Sequence, residues 1–232
     1  MVKKSYEYIS PNFGERPANT IIDTIVIHFT EMKDDISALN ILCDPKYEVS
    51  SHYLINKQGE IFSLVPDELR AWHAGPSCWR GKEKVNDFSI GIELDNNGQE
   101  EYTKPLMDSL IKLCQELIKT YPIEQRNMVG HSDIIPSRKV DPGRLFDWKL
   151  MAENNIGIYP NTNDKNPISD ILSTQKLLAE YGYKINLSGI MDQLTIDVMR
   201  AFNEHFNPKC FDHWSEESQA KLNALLKTVN YL

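Results

Sequence analysis

Two histidines and one aspartate, His28, His131 and Asp141, are the residues of this chain best placed by type and position to hold a metal ion. His28 closes the apolar run Thr24-Ile25-Val26-Ile27, His131 follows Met128-Val129-Gly130, and Asp141 lies in the polar loop beyond. Two neutral imidazoles and a carboxylate leave a net charge of +1 on Zn²⁺ and keep a fourth tetrahedral position for water, the pattern of a catalytic site rather than a closed structural one. On spacing alone, each histidine reads equally well as a satisfied core or surface residue. Glu93 falls on the polar side of an alternating segment, where a carboxylate serves either as a general base or as a solvated surface group. Lys139, two residues before Asp141, is by itself a surface ammonium on a polar loop. The chain has no His-Glu-x-x-His, no Gly-x-Ser-x-Gly and no Walker loop, so any chemistry is assembled from distant segments.

The elements that must bring these residues together are legible from patterning. Residues Ile21 to Thr30 are rich in β-branched types and nearly continuously apolar, which predicts a strand buried on both faces. A helical stretch is expected near Ile36–Leu42. Ser51–Asn56 and Glu60–Val65 flank Lys57-Gln58-Gly59, a hairpin signal that requires a sheet of mixed orientation. Phe88 to Asp95 alternates, with Phe88, Ile90, Ile92 and Leu94 on one face and Ser89, Gly91, Glu93 and Asp95 on the other. Pro105 opens a helix with Leu106, Leu110, Leu113 and Leu117 at helical spacing, and Pro122 marks its end. A short strand over 127–130 delivers His131, and a last helix of this part is expected from Phe146. The fold class is therefore α/β, a mixed central β-sheet flanked by helices.

A polar, proline-bracketed linker at 158–167 separates this part, residues 1–157, from a small three-helix unit over 168–232. The composition, 41% hydrophobic and 25% charged, is that of an ordinary globular chain. Thirty-three acidic residues against 25 basic ones give −8, which argues against nucleic-acid binding. Cys43, Cys78, Cys114 and Cys210 form no Cys-x-x-Cys pair and are expected to be reduced thiols. No segment reads as a signal peptide, a lipobox or a membrane span. The expected location is cytoplasmic, or periplasmic or secreted if this is a mature form or is exported by another route.

Six ordered blocks carry a resemblance. They are Thr24–Thr30, Ser50–Ile55, Ala71-Trp72-His73-Ala74-Gly75, Asn86–Leu94, Val129-Gly130-His131-Ser132-Asp133 and Arg138-Lys139-Val140-Asp141-Pro142-Gly143. In this order they resemble the zinc-dependent N-acetylmuramoyl-L-alanine amidases of the AmpD/AmiD type. That resemblance implies the type-2 amidase and peptidoglycan-recognition fold, one catalytic Zn²⁺ on His28, His131 and Asp141, Glu93 as the catalytic carboxylate, and Lys139 as the cation beside the reacting carbonyl. It implies a peptidoglycan or muropeptide substrate, with no nucleic-acid partner and no membrane insertion. Trp72–Arg80 would supply a groove wall, with His73 and Trp79 against substrate and Arg80 facing a muropeptide carboxylate. Gln175, Gly182-Tyr183 and Gly189-x-x-Asp192 are similar to the landmarks of three-helix peptidoglycan-binding modules, although Phe202-Asn203 stands where such modules usually close with an aromatic-Gln pair. Three rival readings are a non-catalytic peptidoglycan-recognition protein, a lytic enzyme acting outside the producing cell, and a zinc endopeptidase cutting within the stem peptide.

Overall fold

The chain is described by a computed structural model over residues 2–230. Short edge strands β1 (Lys4–Ser5) and β2 (Phe13–Glu15) precede β3 (Thr24–Phe29), in which Ile25, Val26 and Ile27 are completely buried, as two-sided coverage requires. Helix α1 (Asp35–Leu42) starts at Asp34, whose side chain accepts a hydrogen bond from the Ser37 amide. The predicted hairpin forms as β4 (Tyr53–Ile55) and β5 (Ile61–Ser63), antiparallel, with Leu54 opposite Phe62. Strand β6 (Leu69–Ala71) pairs with β2, and β7 (Cys78–Trp79) pairs with β8 (Lys82–Glu83). Strand β9 (Ser89–Leu94) is followed by α2 (Lys104–Thr120), capped by Thr103 and carrying Pro105 in its first turn.

Strand β10 (Met128–Gly130) runs directly into the single-turn helix α3 (His131–Ile134). Helix α4 (Trp148–Glu153) begins two residues later than the sequence predicts, because Asp147 accepts from the Leu150 amide and so becomes the cap. Phe146 is buried just ahead of that cap. Helices α5 (Ile171–Tyr181), α6 (Gln193–Phe206) and α7 (Glu216–Asn230) complete the chain. None of the described helices is long and apolar enough to cross a membrane, and the four cysteines are unpaired.

The main sheet has the order β1-β5-β4-β9-β3-β10. Strands β4, β9, β3 and β10 are mutually parallel, while β5 is antiparallel to β4. Leu106, Leu110, Leu113 and Leu117 of α2 pack on Ile25, Ile27, Ile90 and Ile92 and close one face. On the opposite face α1 covers Leu54 through Leu39 and Leu42. There, too, Val26 and Val129 join an apolar cluster with Leu178, Val198, Phe202, Phe206 and Leu222 of the last three helices. That opposite face carries His28 and Glu93.

Arg16, a residue without a sequence signal, ties the start of β9 to its surroundings. Its half-buried guanidinium donates to the carbonyl oxygens of Asp67, Asn86, Asp87 and Ser89 at 2.8–3.1 Å. A planar fork with five donors can serve four carbonyls at once, which an ammonium cannot. Arg16→Ala is therefore expected to lower the unfolding free energy by roughly 2–4 kcal/mol, with Arg16→Lys recovering less than half. Urea denaturation would show this as a shifted midpoint, and a variant within about 0.5 kcal/mol of wild type would contradict it.

Candidate metal centre

Register puts the first two functional side chains side by side. In the parallel β3–β9 ladder His28 is the partner of Glu93, so both stand at the carboxyl ends of their strands on the face away from α2. On the other side of β3, Gly130 of β10 pairs with Ile27, and the next residue, His131, opens α3. Asp141 arrives on the returning loop, held by a Ser132 amide that donates to its carbonyl at 2.9 Å. A Cβ at Gly130 would lie 2.6 Å from Cδ of Pro142, so the loop that carries Asp141 closes this tightly only over glycine.

The three candidate ligand atoms form a nearly equilateral triangle. His28 Nδ1 and His131 Nδ1 are 3.0 Å apart, and Asp141 Oδ2 lies 3.1 Å and 3.0 Å from them. Metal–ligand bonds of about 2.0–2.1 Å give a tetrahedron an edge of roughly 3.3 Å, close to these separations. All three residues are buried, and together they could hold a metal ion.

Behind His28 lies a polar chain of one direction. His28 Nε2 is 3.0 Å from His73 Nδ1, His73 Nε2 is 3.1 Å from Ser89 Oγ, and Ser89 donates to the Val85 carbonyl at 2.7 Å. With the lone pair of His28 on Nδ1, assigning the protons as His28 Nε2–H to His73 and His73 Nε2–H to Ser89 satisfies every donor in the series. The His73 ring packs against the strand at Gly91, where a Cβ would come within 2.4 Å of it. His52, also buried, accepts the Gly91 amide at 3.0 Å and is part of the framework.

A cavity of about 400 Å³ opens over this centre, and its walls include the three candidate ligands, Glu93, Lys139, His73 and Trp72. Glu93 is half-buried as a residue, but its Oε2 is fully shielded and has no hydrogen-bond partner among the described residues. Burial, reinforced by Asp141 and opposed by Lys139, raises the Glu93 carboxyl well above the usual range. Burial also works to raise Asp141, but the adjacent His131 and His28 overcome it and hold that carboxyl below its ordinary value. Tyr102, at the edge of the same site, donates to the Pro142 carbonyl at 2.9 Å.

Of the residues expected against substrate, only His73 reaches the cavity, and there it backs His28. Trp79 and Arg80 are corrections. Trp79 is 2% exposed and packs edge-on to Tyr181 and Tyr183 of the C-terminal helices. Arg80 turns to Glu124 and Asn127, at 2.7 and 3.0 Å. Their aromatic and cationic character serves a seam within the chain instead of a groove wall. Ser89 was within reach of the sequence, since alternation puts it on the face of Glu93; Tyr102 gave no signal.

A family model for N-acetylmuramoyl-L-alanine amidases (Amidase_2) matches residues 17–144, just over half of the chain. The chain belongs to the N-acetylmuramoyl-L-alanine amidase family. It is 38% identical to the amidase AmiD of Escherichia coli K12 over 89% of this chain and 83% of that protein. The solved complex of E. coli AmiD with anhydro-N-acetylmuramic acid-L-Ala-D-γ-Glu-L-Lys superposes with a TM-score of 0.83 at 33% identity, covering 94% of this chain and 98% of that one. AmpDh3 of Pseudomonas aeruginosa in complex with anhydromuramic pentapeptide gives 0.83 at 28% identity, covering 96% and 99%.

The amidase's buried histidines make its stability depend on pH. Burial lowers His28 to about 4 and His52 to about 3, and drives His73 well below its ordinary value. An unfolded histidine titrates near 6.5, so as pH falls from about 6.5 the unfolded chain binds three protons that the folded one does not. Each contributes about 1.4 kcal/mol per pH unit at the steepest. Glu93 acts in the opposite sense, because its raised pKa lets the folded state keep a proton that the unfolded state has released. The metal-free protein should accordingly lose up to about 3 kcal/mol per unit between pH 6 and 5, less what the raised Asp67, Asp95 and Glu204 carboxyls return. Urea unfolding at pH 7, 6 and 5 measures this, and an unchanged midpoint would refute it.

Proposed function

We propose that this amidase hydrolyses the bond between the lactyl carbonyl of N-acetylmuramic acid and the amine of L-alanine, in peptidoglycan or in anhydro-muropeptides, during cell-wall turnover or recycling. The observation that carries the reading is the convergence of His28 Nδ1, His131 Nδ1 and Asp141 Oδ2 beside an unpartnered, buried Glu93 oxygen. The bound ligands of the two solved relatives, both anhydromuramyl peptides, support this substrate class. In this reading His28, His131 and Asp141 hold one Zn²⁺. When bound, Zn²⁺ supplies a Lewis acid for the scissile carbonyl, acidifies water to a pKa of about 7, and adds positive charge that favours ionised Glu93.

The remaining work belongs to the chain. Glu93 takes a proton from the attacking water and later delivers it to the departing alanine amine, which would otherwise leave as an unstable anion. Its register opposite His28 keeps the carboxylate beside the reacting carbon without a separate scaffold. Lys139 lies on the cavity wall two residues from Asp141 and would stabilise the oxygen on which negative charge develops. The His73–Ser89 series keeps His28 in the tautomer that leaves Nδ1 free. An acidic protein of net charge −8 thus meets a carboxylate-bearing glycopeptide through a local cationic centre.

Glu93→Gln is expected to retain one zinc per chain while hydrolysis falls at least about a hundredfold. Mass spectrometry of cleaved muropeptides and metal analysis would check both halves, and near-normal turnover would remove Glu93 from the mechanism. Exhaustive chelation should abolish hydrolysis and zinc should restore it; activity persisting at zero metal content would defeat the assignment. Assays on purified sacculi and anhydro-muropeptides in parallel identify the preferred substrate, and retention of either without cleavage would favour a recognition protein.

A further inference from the structure

The two candidate histidine ligands are oriented by different means. His28 is fixed through its second nitrogen by His73. The second nitrogen of His131, Nε2, is buried and has no hydrogen-bond partner among the described residues. The aim of His131 Nδ1 therefore depends on the backbone of α3, and the group that organises this backbone is Asp133. This carboxylate, 1% exposed, accepts the Gly130 amide at 2.8 Å, immediately before His131.

The other two hydrogen bonds to Asp133 come from the C-terminal helical part. Tyr183 OH donates to Oδ1 at 2.6 Å, and His205 Nδ1 lies 2.8 Å from Oδ2. His205 is itself stacked on Trp148, with ring centroids 3.8 Å apart. One turn earlier on α6, Arg200 donates to the Pro136 carbonyl at 2.7 Å and the Lys139 carbonyl at 3.3 Å, while Glu204 holds its other nitrogen. Three side chains from the C-terminal helical part thus grip both ends of the segment that carries His131 and Lys139.

We propose that Tyr183, His205 and Arg200 are positioning residues of the catalytic centre, so that the three-helix unit sets metal affinity and turnover without touching metal or scissile bond. The proposal rests on the reading of His131 as a zinc ligand and Lys139 as the oxyanion donor. Tyr183 and His205 act on the metal through Asp133 and α3. Arg200 acts on Lys139 through the loop carbonyls. The two arms predict separable defects.

The test uses the full chain. Zinc affinity is measured by chelator competition, ligand geometry by the absorption spectrum of the cobalt-substituted protein, and kcat and KM on an anhydro-muropeptide. Tyr183→Phe combined with His205→Leu should weaken zinc binding at least about tenfold and shift the cobalt bands. His205→Asn, which keeps a donor near the position of Nδ1, should retain most of the affinity. Arg200→Ala should leave zinc affinity within about twofold while lowering kcat about tenfold at unchanged KM. Tyr183→Phe alone removes one oxygen and serves if the double variant does not fold, with an expected loss in affinity of about threefold. Variants that lower the melting temperature of the metal-free protein but leave zinc affinity, cobalt spectrum and kcat at wild-type values would overturn the proposal. A wild-type chain that binds no zinc would instead overturn the metal reading on which it rests.

Discussion

Three lone-pair donors brought to about 3 Å from one another, away from water, repel one another, and the amidase fold is organised around tolerating that arrangement. No local motif could do it, since the three residues are separated by up to 113 positions in the chain. The parallel pairing of β3 with β9 and β10 supplies the convergence, because neighbouring parallel strands end together and present their last residues side by side. Two glycines make the approach possible: Gly91 admits the His73 ring and Gly130 admits the returning Asp141–Pro142 segment. Each is a place where the backbone has traded its own side chain for the close approach of another.

Most of the framework is legible in the sequence. The alternation from Ser89 to Leu94 separated a core face from a face bearing Glu93, and β9 has that division, with Ile90, Ile92 and Leu94 completely buried. The hairpin at 56–60 and the leucine stripe of α2 were equally plain, because period and turn chemistry are local properties. Trp79 and Arg80 depart from the sequence expectation for the complementary reason. Composition shows that an aromatic and a cation are available, but their destination is set by the contacts with Tyr181, Gly182 and Glu124, distant in sequence. Arg16 was illegible for the same cause, since its four acceptors are backbone carbonyls and leave no trace in residue types.

The landmarks of the C-terminal helices turn out to be engaged within the chain. Gln175 bonds the Ile190 carbonyl, the Thr195 hydroxyl and the Gly189 amide, joining α5 to the start of α6. Asp192 caps α6, Gly182 ends α5, and Tyr183 points to Asp133. A residue pattern associated with a binding module is in this chain also a set of joints, and the apolar cluster that runs from Val26 to Leu222 crosses from sheet to helices without a break.

The position of β10 at the rim of the sheet carries a kinetic consequence. His28 belongs to β3, which is flanked on both sides and packed on both faces, whereas His131 and Asp141 follow a strand with a neighbour on one side only. A strand with one open edge depends on what packs against it, and for β10 and α3 that is the C-terminal helical part, through Val129, Asp133 and Pro136. Exchange of a bound ion would then be coupled to release of those helices, with His28 on the doubly flanked β3 remaining as a fixed half-site.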